Sequence, residues 1–347
     1  MRIFRGLILL PVFALLSGCN MVVMHPAGDV AVQERDLVLA SVALMLLIIV
    51  PVMTMIVVFA WRYRASNTDA KYEPEWHHST GLEVAIWSAP LAIIVALGAL
   101  TWITTHVLDP YRPIARIAPG RPVSAAVQPL EVEAVALNWK WLFIYPQLGI
   151  ASVNELAAPI DTPINFKLTS STMMNAFYIP ALAGQIYAMP GMQTPMHAVI
   201  NKVGVYTGFS SNYSGDGYSD MNFKFHGMTK ADFDKYVQSV KAGGGTLDRQ
   251  TYLTLAQPSQ ANPERRYSAV MPQLFNAVVN ECVDTSKLCE NQAMQINAAG
   301  GTKPETEQPQ VHHSGPHGDM GTMKMPNSVD AGTTPGLTHQ QTAPAPR

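Results

Sequence analysis

Two long runs of apolar residues constrain this chain more than any other feature. Leu37 to Ala60 contains no charged residue, and a helix of that length, rising about 1.5 Å per residue, reaches about 36 Å, enough to cross a hydrocarbon core of about 30 Å. Leu82 to Thr105 forms a second run with one charge, Glu83, at its start. Pro51 and Pro90 are compatible with membrane helices, where packed neighbours satisfy the carbonyls that proline leaves free. The composition agrees: charged residues are 14 % and hydrophobic residues 48 % of the 347, against about 25 % charged in an ordinary soluble domain. A formal net charge of -2 offers no footprint for a polyanion, so nucleic acid is not an expected partner. Three cysteines exclude a four-thiolate zinc site and a dense disulfide scaffold. Two spans are too few for a pore or transporter within one chain.

The first 18 residues read as a secretory signal, with Arg2 and Arg5 ahead of the short apolar stretch Leu7 to Leu16. Leu16-Ser17-Gly18-Cys19 follows and is similar to the cleavage site of a bacterial lipoprotein, which makes Cys19 the expected lipidation site and mature N-terminus. Acyl chains there hold that end on membrane lipid. The secretory start places Cys19 outside, so the first span enters and the second returns. The expected location is the bacterial inner membrane, with the lipid-anchored N-terminus and the C-terminal domain in the periplasm. Arg62, Arg64 and Lys71 in the intervening loop support this orientation, while Arg112, Arg116 and Arg121 after the second span weigh against it. The expected organisation is signal 1–18, external segment 19–36, span 37–60, cytoplasmic loop 61–81, span 82–106, external domain 107–228, helical segment 229–290 and tail 291–347.

From about Val123 to Thr229 the pattern changes to period two. Ile164 to Thr169 and Met221 to His226 alternate apolar and polar residues, each reading as a half-buried strand, and Glu131-Val132-Glu133-Ala134 begins another. Turn signals such as Ala158-Pro159, Thr162-Pro163, Pro190-Gly191 and Ser214-Gly215-Asp216-Gly217 separate them, which predicts an antiparallel all-β sandwich. Thr229 and Asp232 are spaced as a capping box, and Phe233, Tyr236, Val237 and Val240 follow at the offsets of one helical face. A second apolar stripe runs from Leu274 to Cys282, and both stripes read as packing surfaces. Cys282 and Cys289 lie in a compartment that permits disulfides, so a bridge is expected, provided that the helix breaks between them; on one helix they would stand about 10 Å apart. The tail from about Gly300 is rich in Pro, Gly, Thr and Gln and is expected to be disordered. Its His312, His313, His317, Met320, Met323 and Met325 suit loosely held copper, although short His tracts often have no ligand.

Three motifs bring a family into view: Leu82-Glu83-Val84-Ala85-Ile86-Trp87-Ser88-Ala89-Pro90, Asn138-Trp139-Lys140-Trp141-Leu142-Phe143-Ile144-Tyr145-Pro146 and Met174-Asn175-Ala176-Phe177-Tyr178-Ile179-Pro180. Together with the signal, the two spans and the sandwich, they resemble subunit II of the haem–copper respiratory oxidases over about residues 19–290, most closely its ubiquinol-oxidizing, cytochrome bo-type branch. The resemblance implies a cupredoxin-like sandwich on a transmembrane helical hairpin, in a complex with subunits I, III and IV. It also implies that the haems, copper and ubiquinol are held by subunit I and that no catalytic residue or cofactor belongs to this chain.

In cytochrome c-oxidizing relatives the sandwich carries a two-copper centre bridged by two cysteines four residues apart, with two histidines and a methionine. Ser210 and Ser214 stand where those cysteines would be, Asn175 and Tyr218 where the histidines would be, and Met221 alone remains. A serine hydroxyl is a hard, protonated oxygen, whereas copper in such a site takes soft thiolates. No metal centre is therefore expected, which disfavours a soluble cytochrome c as electron donor and favours a quinol oxidized elsewhere in the complex. The family also places an acid near Glu83 at the mouth of a proton-uptake pathway; the alternative is an interfacial acid favoured by the helix dipole. Trp139 and Trp141 are expected to be packing residues. The competing functions are a copper-bearing cytochrome c oxidase subunit II and a membrane-tethered copper-binding lipoprotein that uses the tail.

Overall fold

A computed structural model describes residues 21–298 apart from 72, 125 and 126. Cys19, the signal, and the histidines and methionines of the tail lie outside the described residues. Two helices come first, α1 (Asp29–Arg62) and α2 (Thr80–Val107), long and apolar enough to cross a membrane. They pack as a hairpin and turn large apolar side chains outward along their length, such as Leu47, Val57, Ile94 and Val95. At the loop end of the hairpin Trp61, Tyr63 and Trp76 are exposed, with the Arg64 guanidinium 5.2 Å from the Trp61 ring. Amphipathic rings beside cations suit a bilayer boundary.

Helix α1 has 34 residues, about 51 Å at 1.5 Å each, and begins eight residues before the apolar run. The sandwich supplies the reason. The backbone N–H groups of Ala27 and Gly28 donate to the Ala181 carbonyl, and that of Ala31 donates to Leu182, so donors that a helix start leaves unsatisfied find partners on the sandwich. Asp29 and Ala31 are buried there. Gly28 pairs with Ile200 across this junction, and a Cβ on Gly28 would lie 2.5 Å from the Leu182 carbonyl oxygen and 2.6 Å from that of Val199. Rigid backbone on both sides leaves no flexible atom to yield. Gly28→Ala is therefore expected to lower thermal stability by about 1–3 kcal/mol, the range for overpacking a tight contact; an unchanged melting temperature in detergent contradicts the tight junction.

The external domain opens with a small ribbon of β1 (Arg116–Ala118) and β2 (Arg121–Pro122), then lays down two sheets. The strands are β3 (Leu130–Leu137), β4 (Lys140–Tyr145), β5 (Ile150–Val153), β6 (Glu155–Pro159), β7 (Pro163–Ser170), β8 (Asn175–Tyr178), β9 (Ile186–Ala188), β10 (Thr194–Val199), β11 (Gly204–Ser210) and β12 (Asn222–Met228). Then come α3 (Lys230–Gly243), β13 (Gly245–Leu247), α4 (Arg249–Ala256), β14 (Arg265–Val270), α5 (Leu274–Val279) and α6 (Glu290–Ala298). One sheet has the order β10-β7-β3-β4-β5-β14-β13, the other β6-β12-β11-β8-β9. The sandwich is mixed rather than antiparallel throughout: β3 pairs parallel with β7, and β12 with β6. Strand alternation reports which face is buried and carries no information on the direction of a neighbour.

The space between the sheets is filled by Trp141, Phe143, Phe166, Phe177, Phe223 and Phe225, all 2 % exposed or less. Phe177 and Phe223 stack at 5.5 Å, and Trp141 meets both edge-on, the offset geometry that aromatic quadrupoles favour. The opposite face of β3, β4 and β5 is buried too, because Leu247, Tyr252, Leu255, Leu274, Phe275 and Val278 cover it. That explains why β4 after Lys140 is apolar at every position. The segment expected to be helical, 229–290, thus also contributes two strands to the larger sheet. Its first helix is capped as expected, with Thr229 Oγ1 accepting from the Asp232 N–H and Phe233, Tyr236, Val237 and Val240 buried. Helix α6 carries regular structure through the first eight residues of the segment 291–347, to Ala298, and the stretch from about Gly300 lies outside the described residues.

Candidate functional site

The residues that the resemblance sets at copper-ligand positions are gathered at one end of the sandwich by the termini of β8, β11 and the loop before β12. Asn175 begins β8, Ser210 ends β11, and Ser214, Tyr218 and Met221 follow in the loop. Ser210 and Asn175 meet directly: the serine hydroxyl donates to Asn175 Oδ1 at 3.1 Å and accepts from the Ala176 N–H at 3.4 Å. The Asn175 side-chain amide donates to the Met173 carbonyl at 3.0 Å. Ser214 Oγ lies 3.9 Å from Met221 Sδ, and the Ser210 N–H donates to the Met221 carbonyl. Tyr218 leans on Tyr213, ring centroids 5.5 Å apart. Ser210, Ser214, Asn175 and Met221 are all buried.

This donor set does not fit a two-copper centre. It contains no thiol and no imidazole, and the hydroxyl and amide at its centre already satisfy each other and the backbone, as buried polar groups must. No group of three or more His, Cys, Asp or Glu side chains among the described residues is placed to hold a metal ion.

Trp139 fixes the loop. It occupies the turn between β3 and β4 with φ of 60°, an uncommon conformation for a bulky residue that surrounding contacts must impose. Its indole N–H donates to the Ser214 carbonyl at 2.8 Å, and a Cβ on Gly217 would lie 2.6 Å from the indole ring. Trp139 therefore clamps the loop and Trp141 fills the core.

Two buried charged groups tie the sandwich to the C-terminal segment and were not singled out from the sequence. Lys140, fully buried, donates from Nζ to the carbonyls of Asn138 at 3.3 Å and Gln257 at 2.8 Å and to Ser259 Oγ at 2.5 Å; burial, with the Arg265 charge nearby, pulls its ammonium down to about 8. Glu155 on β6 accepts from Arg266 Nε at 2.6 Å and from a second guanidinium nitrogen at 2.7 Å, with the Tyr236 hydroxyl at 3.4 Å. The signal for both was a lone charge at the head of an apolar strand run.

Glu83 lies at the other end of the molecule, in the first turn of α2, half-exposed and 2.7 Å from His78 Nδ1. Cys282 and Cys289 are joined as a disulfide with Cα atoms 4.7 Å apart. Helix α5 has ended at Val279, so both lie in irregular chain and the spacing of a continuous helix does not apply.

The sequence has relatives. The family model of the cytochrome c oxidase subunit II periplasmic domain matches residues 145–227, and that of the COX aromatic rich motif matches 241–286, the latter coinciding with the elements that cover the outer face of the larger sheet. Cytochrome bo(3) ubiquinol oxidase subunit 2 of Pseudomonas putida is 48 % identical over 267 residues, 77 % of this chain and 82 % of the relative. Ubiquinol oxidase subunit 2 of Acetobacter aceti is 46 % identical over 265 residues, 76 % and 84 %. Quinol oxidase subunit 2 of Bacillus subtilis is 36 % identical over 259, 74 % and 78 %. Among solved structures, the periplasmic domain of cytochrome oxidase subunit II from Bradyrhizobium japonicum matches with 24 % identity and a TM-score of 0.31, covering 32 % of this chain and 91 % of that one. This chain belongs to the ubiquinol oxidase subunit 2 family of the haem–copper oxidases.

Proposed function

We propose that the chain is the membrane-anchored, redox-silent subunit of a ubiquinol oxidase that reduces oxygen to water and pumps protons. Electrons pass from ubiquinol to haems and copper in subunit I, and this chain packs its hairpin on that subunit while its sandwich caps the periplasmic face. Subunits III and IV complete the complex, acylated Cys19 adds a lipid anchor, and soluble cytochrome c has no port here. One observation carries the reading: at the end of the sandwich where a copper-bearing relative has thiolates and imidazoles, Ser210 and Asn175 hydrogen-bond to each other, and hydroxyl and amide groups cannot cycle electrons or hold soft copper. Purifying the chain from native membranes tests it. Haems and subunit I are expected to accompany it in a complex that oxidizes ubiquinol; a chain that purifies alone contradicts the assignment.

Glu83 is the residue assigned a part in proton uptake. It lies at the end of α2 away from the sandwich, on the inner side in this orientation, and a carboxylate at a membrane boundary is retained where it meets water or a partner. Glu83→Ala is expected to slow oxygen reduction by the assembled enzyme several-fold while haem content stays normal. Unchanged turnover in a normally assembled complex removes that role.

A further inference from the structure

Where the outer ends of α1 and α2 meet the sandwich, a cavity of about 360 Å³ is lined by Asp29, Gln33, Glu34, Arg112, Arg116 and His197, among others. Asp29 is 3 % exposed. Its Oδ2 accepts from Gln33 at 2.8 Å and Arg116 at 2.9 Å, but its Oδ1, equally buried, has no hydrogen-bond partner among the described residues. A buried carboxylate oxygen left unpaired beside a cavity of this size calls for a donor within it, and water or a hydrated proton is the donor that fits.

Glu34 adds a second group. It lies three residues before the apolar run, outside the span, with Oε1 against Gly184: a Cβ there would be 2.6 Å away. Among the described residues it has no ion-pair partner, because the cations around the cavity are engaged elsewhere. Arg116 pairs with Asp29, Arg35 with Asp36, and Arg112 donates to the His106 carbonyl. His197 on β10 contacts Asn165, and burial lowers its pKa. Tyr178 on β8 is raised by burial and by the Glu34 charge, and Asp109 lies at the cavity rim. Without a cation, burial pushes the Glu34 carboxyl up to about 7, with the Gly184 backbone hydrogen bond opposing.

We propose that this cavity is a hydrated proton site in which Glu34 takes up and releases a proton to external water, an outward way station for protons liberated when the assembled oxidase oxidizes ubiquinol. The inference rests on the function proposed above. The step moves no electrons: a carboxylate oxygen forms an O–H bond with a hydrated proton, and the bond breaks when external water takes the proton back. Ubiquinol supplies two protons as it loses two electrons to the metal centres of the complex. The folded chain also holds a proton on Glu34 that the unfolded chain has lost, so stability falls as pH rises from the ordinary carboxylate range to about 7.

Infrared titration of the purified complex reads the site directly. The wild type is expected to lose a carboxyl band with a midpoint near 7, Glu34→Gln to lack that band, and Asp36→Asn to keep it. Gly184→Ala, which crowds Oε1, is expected to move the midpoint. A wild type with no such band, or a Glu34→Gln variant that retains it, overturns the proposal. In vesicles, a single pulse of ubiquinol is expected to give outward protons several-fold later in Glu34→Gln than in the wild type; equal timing also overturns it. A wild-type complex that titrates as described but does not oxidize ubiquinol refutes the proposed function instead.

Discussion

Asn175→His, Ser210→Cys, Ser214→Cys and Tyr218→His, introduced together, are expected to convert a domain with no place for copper into one that holds two copper ions per chain. Most of the positions concerned are already close together. Ser210 and Asn175 are in hydrogen-bond contact, Ser214 lies against Met221, and Trp139 pins the intervening loop through its bond to Ser214. Only the donor atoms are of the wrong kind. Thiolates and imidazoles replace hard, protonated oxygens, and because thiols must lose protons to bind, uptake is expected to weaken at acid pH. Copper per chain by mass spectrometry and the spin resonance spectrum check it. Ser210→Cys alone is expected to bind none, and failure of the fourfold variant to take up copper while still folded means that the pocket has lost its shape as well as its ligands.

The second large effect concerns stability. Arg266→Met leaves Glu155, 2 % exposed, without the guanidinium that supplies two hydrogen bonds; the guanidinium itself reaches solvent and the Tyr236 hydroxyl remains near, so the expected cost is that of an under-satisfied buried acceptor, about 1–3 kcal/mol. For a domain of this size that corresponds to a fall of about 5 °C in melting temperature. The double variant Glu155→Gln with Arg266→Met is expected to recover much of the loss, since the uncompensated charge is gone. Calorimetry of the full chain in detergent distinguishes the cases; a single variant that melts with the wild type shows that the pair carries no such weight. The pair joins β6 to β14, so its loss loosens the cover over the outer face of the larger sheet.

How far the sequence foretold this molecule follows from what each residue pattern reports. Apolar length announced both membrane helices, but not the eight extra residues of α1, which are ordered by tertiary contacts at Gly28 and Ala31 rather than by hydropathy. Alternation marked β7 and β12, whereas β4, covered on both faces, is apolar at every position after Lys140 and shows no alternation. The parallel pairings were invisible, because a strand's own pattern does not record its neighbour's direction. At the copper position the residue types alone carried the chemistry, and the structure adds that Ser210 and Asn175 satisfy one another. Lys140, Glu155 and Glu34 went unremarked because their partners lie more than 100 residues away in the chain: Gln257, Arg266 and Gly184 become neighbours only in the fold.

A sandwich unable to accept electrons is the centre of the proposed function. Electron spin resonance and copper analysis of the full-length chain, purified from membranes of cells grown with ample copper, address that directly. The expected outcome is a silent spectrum and no stoichiometric copper on this chain. A mixed-valence pair signal, with copper released only on denaturation, would contradict it.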